Sequence, residues 1–246
     1  MRVAVISDVH GNLHALEAVL ERIAAEPPDL MVNLGDLVSG PFDPGGSAER
    51  QMRLACATIA GNHERQLLAG ASGASDAFAR PLLSARHLDW IAGLPQTLTL
   101  AGGEVFACHG SPAGGDLAYL LEDVRAGRPV LAGPAEILPR LRGAGTARVV
   151  LCGHTHIPRI AAAGPVLIIN PGSVGLPAYR GASPVPHVME AGSPLARYAM
   201  LERTRSGWQA ALHAVRYDTE AAARQAEQAG RHEAAHIVRH GRLPDR

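Results

Sequence analysis

The chain has 246 residues, enough to bury a sizeable core, and its hydrophobic (47%) and charged (19%) fractions are ordinary for a globular protein. Lys+Arg and Asp+Glu are equal at 23 each, which excludes a global field drawing it to nucleic acid or an anionic membrane; neither is an expected partner. Cys56, Cys108 and Cys152 form no CxxC pair and sit in apolar stretches, so they read as buried free thiols. With no signal-type segment before the first strand and no run approaching the roughly 18 apolar residues of a membrane span, the expected location is the cytoplasm.

In chain order, "RVAVIS" (2–7) reads as a buried strand. After the turn "DVHGN", Leu13, Leu16, Leu20 and Ile23 recur at helical spacing until Pro27-Pro28 stops the helix. "DLMVNLGD" (29–36) is a second strand, 47–55 a short helix, and "CATIAGNHE" (56–64) a third strand running into a loop. Residues 65–93 read as helical with a break near 70–75. "QTLTLAGGEVFACHGSP" (96–112) reads as a hairpin turning at Ala101-Gly102-Gly103 and leaving through His109. Residues 113–148 read as mostly helical, "ARVVLCGHTH" (147–156) as a strand, and 159–175 as a second hairpin. The Pro/Gly/Ala/Ser-rich stretch 176–194 reads as a long loop. A strand pair follows over 196–217, turning at Ser206-Gly207, and the Ala-rich tail from Thr219 to about His240 reads as one or two helices broken near Gly230.

Most strands therefore end in a polar cluster containing glycine. Open α/β sheets place their sites at the carboxyl ends of strands, where loops converge. Standing there are Asp8 and His10, Asp36, Asn62 and His63, His109, and His154 and His156. If these exits are extended, alternation puts Asp8 with His10, and His154 with His156, on one side of the chain. Carboxylate, amide and imidazole donors without thiolate suit Mn, Fe, Zn, Co or Ni. Two Asp, one Asn and four or five of these His, at least seven ligands, exceed what one ion takes from a protein, and suit two ions sharing a carboxylate. Glycines 11, 35, 61, 110 and 153 neighbour these residues, allowing the sharp turns and close approaches of a crowded site.

The ordered set "SDVHGN", "GDLVSGP", "GNHE", "CHGSP", "GHTHIP" and "NPGSVG", spanning residues 6–175, resembles the calcineurin-like metallophosphoesterases, and within them the small bacterial and archaeal phosphodiesterase branch. The tail "AVRYDTEAAARQAEQAGR" is also similar to that branch's closing strand and helix. The resemblance implies a single-domain four-layer α/β/β/α sandwich over 1–246: a motif-bearing core to 175, a variable loop over 176–194, and closing strands and helices over 195–246. It further implies a dinuclear centre, with Asp8, His10 and His156 on one ion, Asn62, His109 and His154 on the other, and Asp36 bridging. His63 would act as general acid or charge stabiliser at the leaving group. "GDLVSGP" lacks the Asp-Arg-Gly run of the protein phosphatases and related dinucleotide tetraphosphatases, which weakens both of those assignments. Arg180 and His187 read as solvated loop residues, so no substrate-binding residue is assigned.

The expectation is a phosphoesterase, with a phosphodiesterase favoured over a phosphomonoesterase or nucleotide phosphatase. It would use two divalent transition-metal ions, manganese favoured, and act on a small phosphate ester by direct attack of hydroxide on phosphorus without a covalent enzyme intermediate. Other nucleophilic machinery is missing from the sequence: "HGSPAGG" is not a GxSxG elbow, His10 occupies the place an aspartyl-phosphate scheme needs for a second Asp, and no GxxxxGK[ST] loop occurs. The competing class is a non-catalytic scaffold of the same fold, whose mark is ligand loss; all seven ligand-type residues are present.

Overall fold

The computed structural model describes residues 1–70 and 73–245. The first half of the chain holds β1 (Arg2–Ile6), α1 (Leu13–Ala24), β2 (Leu30–Asn33), α2 (Pro44–Met52), β3 (Cys56–Thr58), α3 (Asn62–Leu68), α4 (Ala74–Ala79), α5 (Ala85–Ala92), β4 (Thr97–Leu100) and β5 (Val105–Cys108). The second half holds β6 (Glu122–Asp123), β7 (Val130–Leu131), α6 (Pro134–Arg140), β8 (Val149–Leu151), β9 (Arg159–Ala163), β10 (Val166–Asn170), β11 (Ala178–Gly181), β12 (His187–Glu190), β13 (Ala196–Thr204), β14 (Gly207–Val215), α7 (Thr219–Gln228) and α8 (His232–His240).

Two five-stranded sheets carry the fold, ordered β14-β13-β1-β2-β3 and β4-β5-β8-β10-β9. The runs β1-β2-β3 and β5-β8-β10 are parallel and buried on both faces, which is why "VAVI" and "VVL" are continuously apolar rather than alternating. Antiparallel strands β13, β14, β4 and β9 close the flanks. Between the sheets, Val3, Val5, Val32, Leu34 and Ile59 of one meet Val105, Val149, Leu151 and Ile169 of the other. Outside the first sheet, α1 buries Leu16, Val19, Leu20 and Ile23, with Asn12 capping its first turn. Outside the second, α6 contributes Ile137 to a layer with Leu120, Leu121, Val150 and Ile168. The result is one domain of four layers, α/β/β/α. The C-terminal helices α7 and α8 pack through Ala222, Ala223, Ala226, Ala235 and Val238 onto Phe42 of the same chain. No described helix is long and apolar enough to cross a membrane.

Four expectations need correcting. Residues 113–148 are not mostly helical: only α6 is an α-helix there, and β6 and β7 form a small hairpin, because Gly127 turns the chain with positive φ and Pro129 cannot continue a helix. The stretch 176–194 is not a loop but the β11–β12 ribbon, whose buried Ala178, His187 and Met189 dock on the body. Asn62 and His63 are not in a loop but open α3. The break read near 70–75 falls partly on 71–72, outside the described residues. Cys108 and Cys152 are buried free thiols, whereas Cys56 is only half-buried.

Candidate metal centre

All five exits meet at one edge of the two sheets. Asp8 and His10 follow β1, Asp36 follows β2, Asn62 and His63 follow β3, His109 follows β5, and His154 and His156 follow β8. Potential ligand atoms of Asp8, His10, Asp36 and His156 lie within 4.8 Å of one another, and those of Asp36, His109 and His154 form a second such group, so Asp36 belongs to both. The amide oxygen of Asn62 stands 3.1 Å from His109 Nε2 and joins the second group. All seven are thus brought together.

The pairing does not arise by strand alternation, as expected above. Asp8 (φ 57°), His10 (50°), Asp36 (56°), His154 (66°) and His156 (59°) are all left-handed; the only other non-glycine with positive φ among the described residues is Ala101. Such a conformation costs roughly 1–2 kcal/mol per residue. Surrounding hydrogen bonds hold it. The buried Glu64 carboxylate accepts from the backbone N–H groups of Asp36, Leu37 and Gly61, each at 2.8 Å, tying the β2 exit to the start of α3. Asn170 Nδ2 donates to the Gly153 carbonyl and to Thr155 Oγ1, both at 2.9 Å, and Ser173 Oγ donates to the Asp8 carbonyl at 2.7 Å. Glycine is required where these turns touch: at Gly61 a Cβ would strike Asp36 Oδ1 and His109 Cε1, and Gly35 has φ +98° against the Gly61 backbone.

The imidazoles are oriented from behind. Nδ1 of His10, His109 and His156 faces the carbonyls of Ser39, Leu34 and Leu176, so a proton there donates outward and Nε2 turns its lone pair inward. What converges is almost entirely acceptor: His10 Nε2 lies 3.1 Å from His156 Nε2, His156 Nε2 3.3 Å from Asp8 Oδ1, and His109 Nε2 3.2 Å from Asp36 Oδ2. Asp8 Oδ1 is buried without a hydrogen-bond partner. Burial, then His156, keeps His10 neutral, down to about 4; burial, then His109, takes His154 down to about 3. Against burial, Asp36 and then Asp8 hold His109 up to about 10. Two buried carboxylates thus demand positive charge, and divalent cations with neutral imidazole ligands fit that demand.

His63 stands beside this set. Its backbone N–H donates to Asp36 Oδ1 at 3.0 Å, and its Nδ1 lies 2.6 Å from Oδ1 of buried Asp76 on α4. Burial opposes its charge, but Asp36 and Asp76 raise it to about 9.

The calcineurin-like phosphoesterase superfamily domain matches residues 1–191. The chain belongs to this superfamily. A metallophosphoesterase from Sphaerobacter thermophilus superposes with a TM-score of 0.75 at 26% identity, covering 98% of this chain and 99% of that one. The protein PH1004 of Pyrococcus horikoshii OT3 shares the fold with a TM-score of 0.73 at 19% identity, covering 99% of each chain. The protein MJ0912 of Methanocaldococcus jannaschii is 30% identical over 132 residues, 49% of this chain and 54% of its own length, so the match spans about half of that relative. Phosphoesterase membership and the two donor groups agree on divalent metal binding.

Glu64 of "GNHE" and Asn170 and Ser173 of "NPGSVG" have no role assigned from the sequence. The Glu three residues after Gly61 is the N3 position of a capping box and could have flagged Glu64. Asp76, 13 residues beyond His63 in an Ala/Ser/Gly segment, carries no local signal.

Above the donor groups a pocket of about 220 Å³, lined by His10, Asp36, Asn62, His63 and Arg180 among others, adjoins a cleft of about 930 Å³. Asn62, His63, His154, Tyr179 and Arg180 line both. His187 is buried and lines neither pocket, with Nε2 2.9 Å from the Tyr119 hydroxyl. Arg180 is a wall residue of the cleft, not a freely solvated loop residue.

Proposed function

We propose that the chain is a dinuclear metal-dependent phosphodiesterase that hydrolyses a small phosphate ester. One observation carries the reading: two groups of ligand-type side chains share the single carboxylate of Asp36. In this reading Asp8, His10 and His156 hold one ion, Asn62, His109 and His154 the other, and Asp36 bridges. Two such ions supply Lewis-acid polarisation of the phosphoryl oxygens and lower the pKa of an attacking water. The donor set of carboxylate, amide and imidazole without thiolate suits Mn, Fe, Zn, Co or Ni, and manganese is the ion we propose. Asn62, being neutral, leaves its ion more electrophilic than a carboxylate would. His63, held protonated against Asp76, hands a proton to the departing alkoxide, a role worth about 10²–10⁴-fold. The cleft adjoining the small pocket offers room for a second ester substituent, which favours a diester over a monoester. The cytoplasm remains the proposed location, in keeping with the three free thiols.

The test is hydrolysis of bis-p-nitrophenyl phosphate and p-nitrophenyl phosphate by metal-stripped protein, with Mn, Ni, Co, Zn, Fe and Mg each added back. Metal-dependent turnover of the diester, lost in His109→Ala and Asp36→Asn, is expected. A folded protein that binds two ions yet turns over neither ester would sink the phosphodiesterase reading.

A further inference from the structure

The cleft beside the donor groups is unusual in its charge. Three arginines line it, Arg125, Arg140 and Arg180, but two are already occupied. Arg125 is paired with Asp123 and, at 2.7 Å, with Glu136. Arg140 Nη1 donates to the carbonyls of Tyr119, Leu120 and Glu122 at 3.0–3.2 Å, so it is a strut that shapes the wall. Arg125 thus already faces two carboxylates, and Arg140 is fixed to the wall through three main-chain oxygens. Arg180 differs. Among the described residues its only partner is Glu233, which meets Nε at 3.2 Å and leaves both terminal nitrogens unpaired. That ion pair is a third to a half exposed, the kind that contributes little and is readily exchanged for a better anion. Arg180 also lines both the small pocket over the ligand groups and the large cleft, so it stands at their junction.

Beyond that junction the wall sets apolar and aromatic side chains beside the paired charges of Asp123, Arg125 and Glu136. Tyr119 is wedged beside His154 (ring centroids 5.3 Å apart) and His187 (5.5 Å), its hydroxyl bonded to His187 Nε2, so the ring is held as a fixed face. Leu117, 55% exposed, Val124 and Pro184 line the same cleft. A volume of about 930 Å³ is at the upper end for small-molecule sites.

We propose that Arg180 binds a non-bridging oxygen of the substrate phosphate, and that the cleft selects diesters in which one substituent is large, flat and uncharged, of nucleoside size. This rests on the phosphodiesterase reading above and adds the specificity. A substrate whose remote part carries further phosphates meets the carboxylates of Asp123 and Glu136 and the arginine already paired with them, whereas an uncharged ring finds the Tyr119 face and the Leu117 side chain.

The experiment compares kcat/KM for thymidine 5′-(p-nitrophenyl phosphate) and methyl p-nitrophenyl phosphate, which share one leaving group, and measures the affinity of thymidine 5′-phosphate calorimetrically, all with Mn-loaded protein. The wild type prefers the nucleoside ester by at least about tenfold. Arg180→Ala lowers kcat/KM on both esters by about 10–100-fold, the size of a lost charge-assisted hydrogen bond, and weakens thymidine 5′-phosphate to match. Glu233→Ala leaves both esters within about twofold or improves them. Tyr119→Leu removes the preference through KM; Leu117→Ala, at an exposed position that cannot unfold the chain, reduces it in the same direction. The proposal is overturned if Arg180→Ala stays within twofold, if Glu233→Ala reproduces its loss (making Arg180 a structural ion pair), or if the two esters are hydrolysed equally. Absence of turnover on either ester removes the phosphodiesterase reading instead; thymidine 5′-phosphate affinity then decides this one, and equal affinity in wild type and Arg180→Ala overturns it.

Discussion

Glu64→Gln probes the joint between the two halves of the centre. The carboxylate accepts three backbone N–H bonds at 2.8 Å: Oε2 from Asp36 and Gly61, Oε1 from Leu37. Burial and then Asp36 push this carboxyl up, while the three N–H groups pull it back and leave no acceptor for a carboxyl proton. An amide keeps the shape but only one oxygen. Its least costly orientation retains Asp36 and Gly61 and sets an NH₂ against the Leu37 N–H. One bond to an ionised acceptor, about 1.5–3 kcal/mol, is then lost and two are weakened to neutral strength, about 0.5–1.5 kcal/mol each. Relief of the buried charge offsets part of this, giving a net cost of about 3 kcal/mol. For a chain of this size that lowers Tm by about 6–12 °C. Because Glu64 also sets Asp36 against Asn62, manganese affinity falls by about 10–100-fold, as for other residues that brace ligands. Thermal unfolding by circular dichroism and calorimetric manganese titration read the two effects. A variant within 0.5 kcal/mol of wild-type stability and within about twofold in manganese affinity would refute the argument that this carboxylate braces the site.

Three further outcomes are expected. Gly61→Ala drives a methyl group into Asp36 Oδ1 and His109 Cε1, so the variant loses manganese binding by more than about tenfold; unchanged binding in a titration contradicts the close approach described here. Asp76→Asn removes the carboxylate that orients His63, so kcat falls more for alkyl than for p-nitrophenyl phosphodiesters, with KM unchanged; an equal fall for both leaving groups rejects that positioning role. Glu122 is almost fully buried, and burial, opposed by Arg159, pushes its carboxyl from an ordinary value near 4.5 up to about 7. The folded protein then holds the proton more tightly than the unfolded chain, so this group's contribution is complete below about pH 4.5 and is lost as pH rises towards 7, by about 3 kcal/mol. Glu122→Gln, which cannot ionise, should gain that amount on the wild type at pH 8 and nothing at pH 4; parallel pH profiles of the two proteins' urea midpoints reject it.

What could be read from the sequence was what is local. β1, β2 and β8 announce themselves because strands buried on both faces have no polar positions to interrupt them, and α1 because its buried side is spaced at 3.6 residues. The β11–β12 ribbon was hidden for the opposite reason: its Pro, Gly and Ser content is that of a loop, and only docking of Ala178, His187 and Met189 onto the body makes it a strand pair. The same tertiary dependence concealed the place of Arg180 in the cleft wall and the burial of His187 against the Tyr119 hydroxyl. Asp76 was illegible because its meaning lies wholly in a partner 13 residues away.

The ligand residues present the sharpest case. Their identities were legible, yet the geometry inferred for them was not the one adopted. Extended alternation would spread two side chains along an exit, about two residues' rise apart, whereas left-handed backbone at Asp8, His10, His154 and His156 folds each exit back on itself. That curl brings His10 Nε2 to 3.1 Å from His156 Nε2 across the two sheets. A conformation of this cost, adopted at five ligand-type positions and at only one other described non-glycine residue, has no source in packing alone, since the apolar layers lie beneath it. It is held by Glu64, Asn170 and Ser173, polar groups whose own burial would be unfavourable without these turns to bond. The strain and the clamps are therefore one construction, and bound cations complete it by neutralising the acceptors it forces together. Removing metal should accordingly loosen these five turns before it loosens either sheet. Hydrogen exchange at Asp36, Gly61 and Gly153 in chelator-treated protein reads this directly, and protection there that matches the sheet core with and without metal would show that the turns stand unaided.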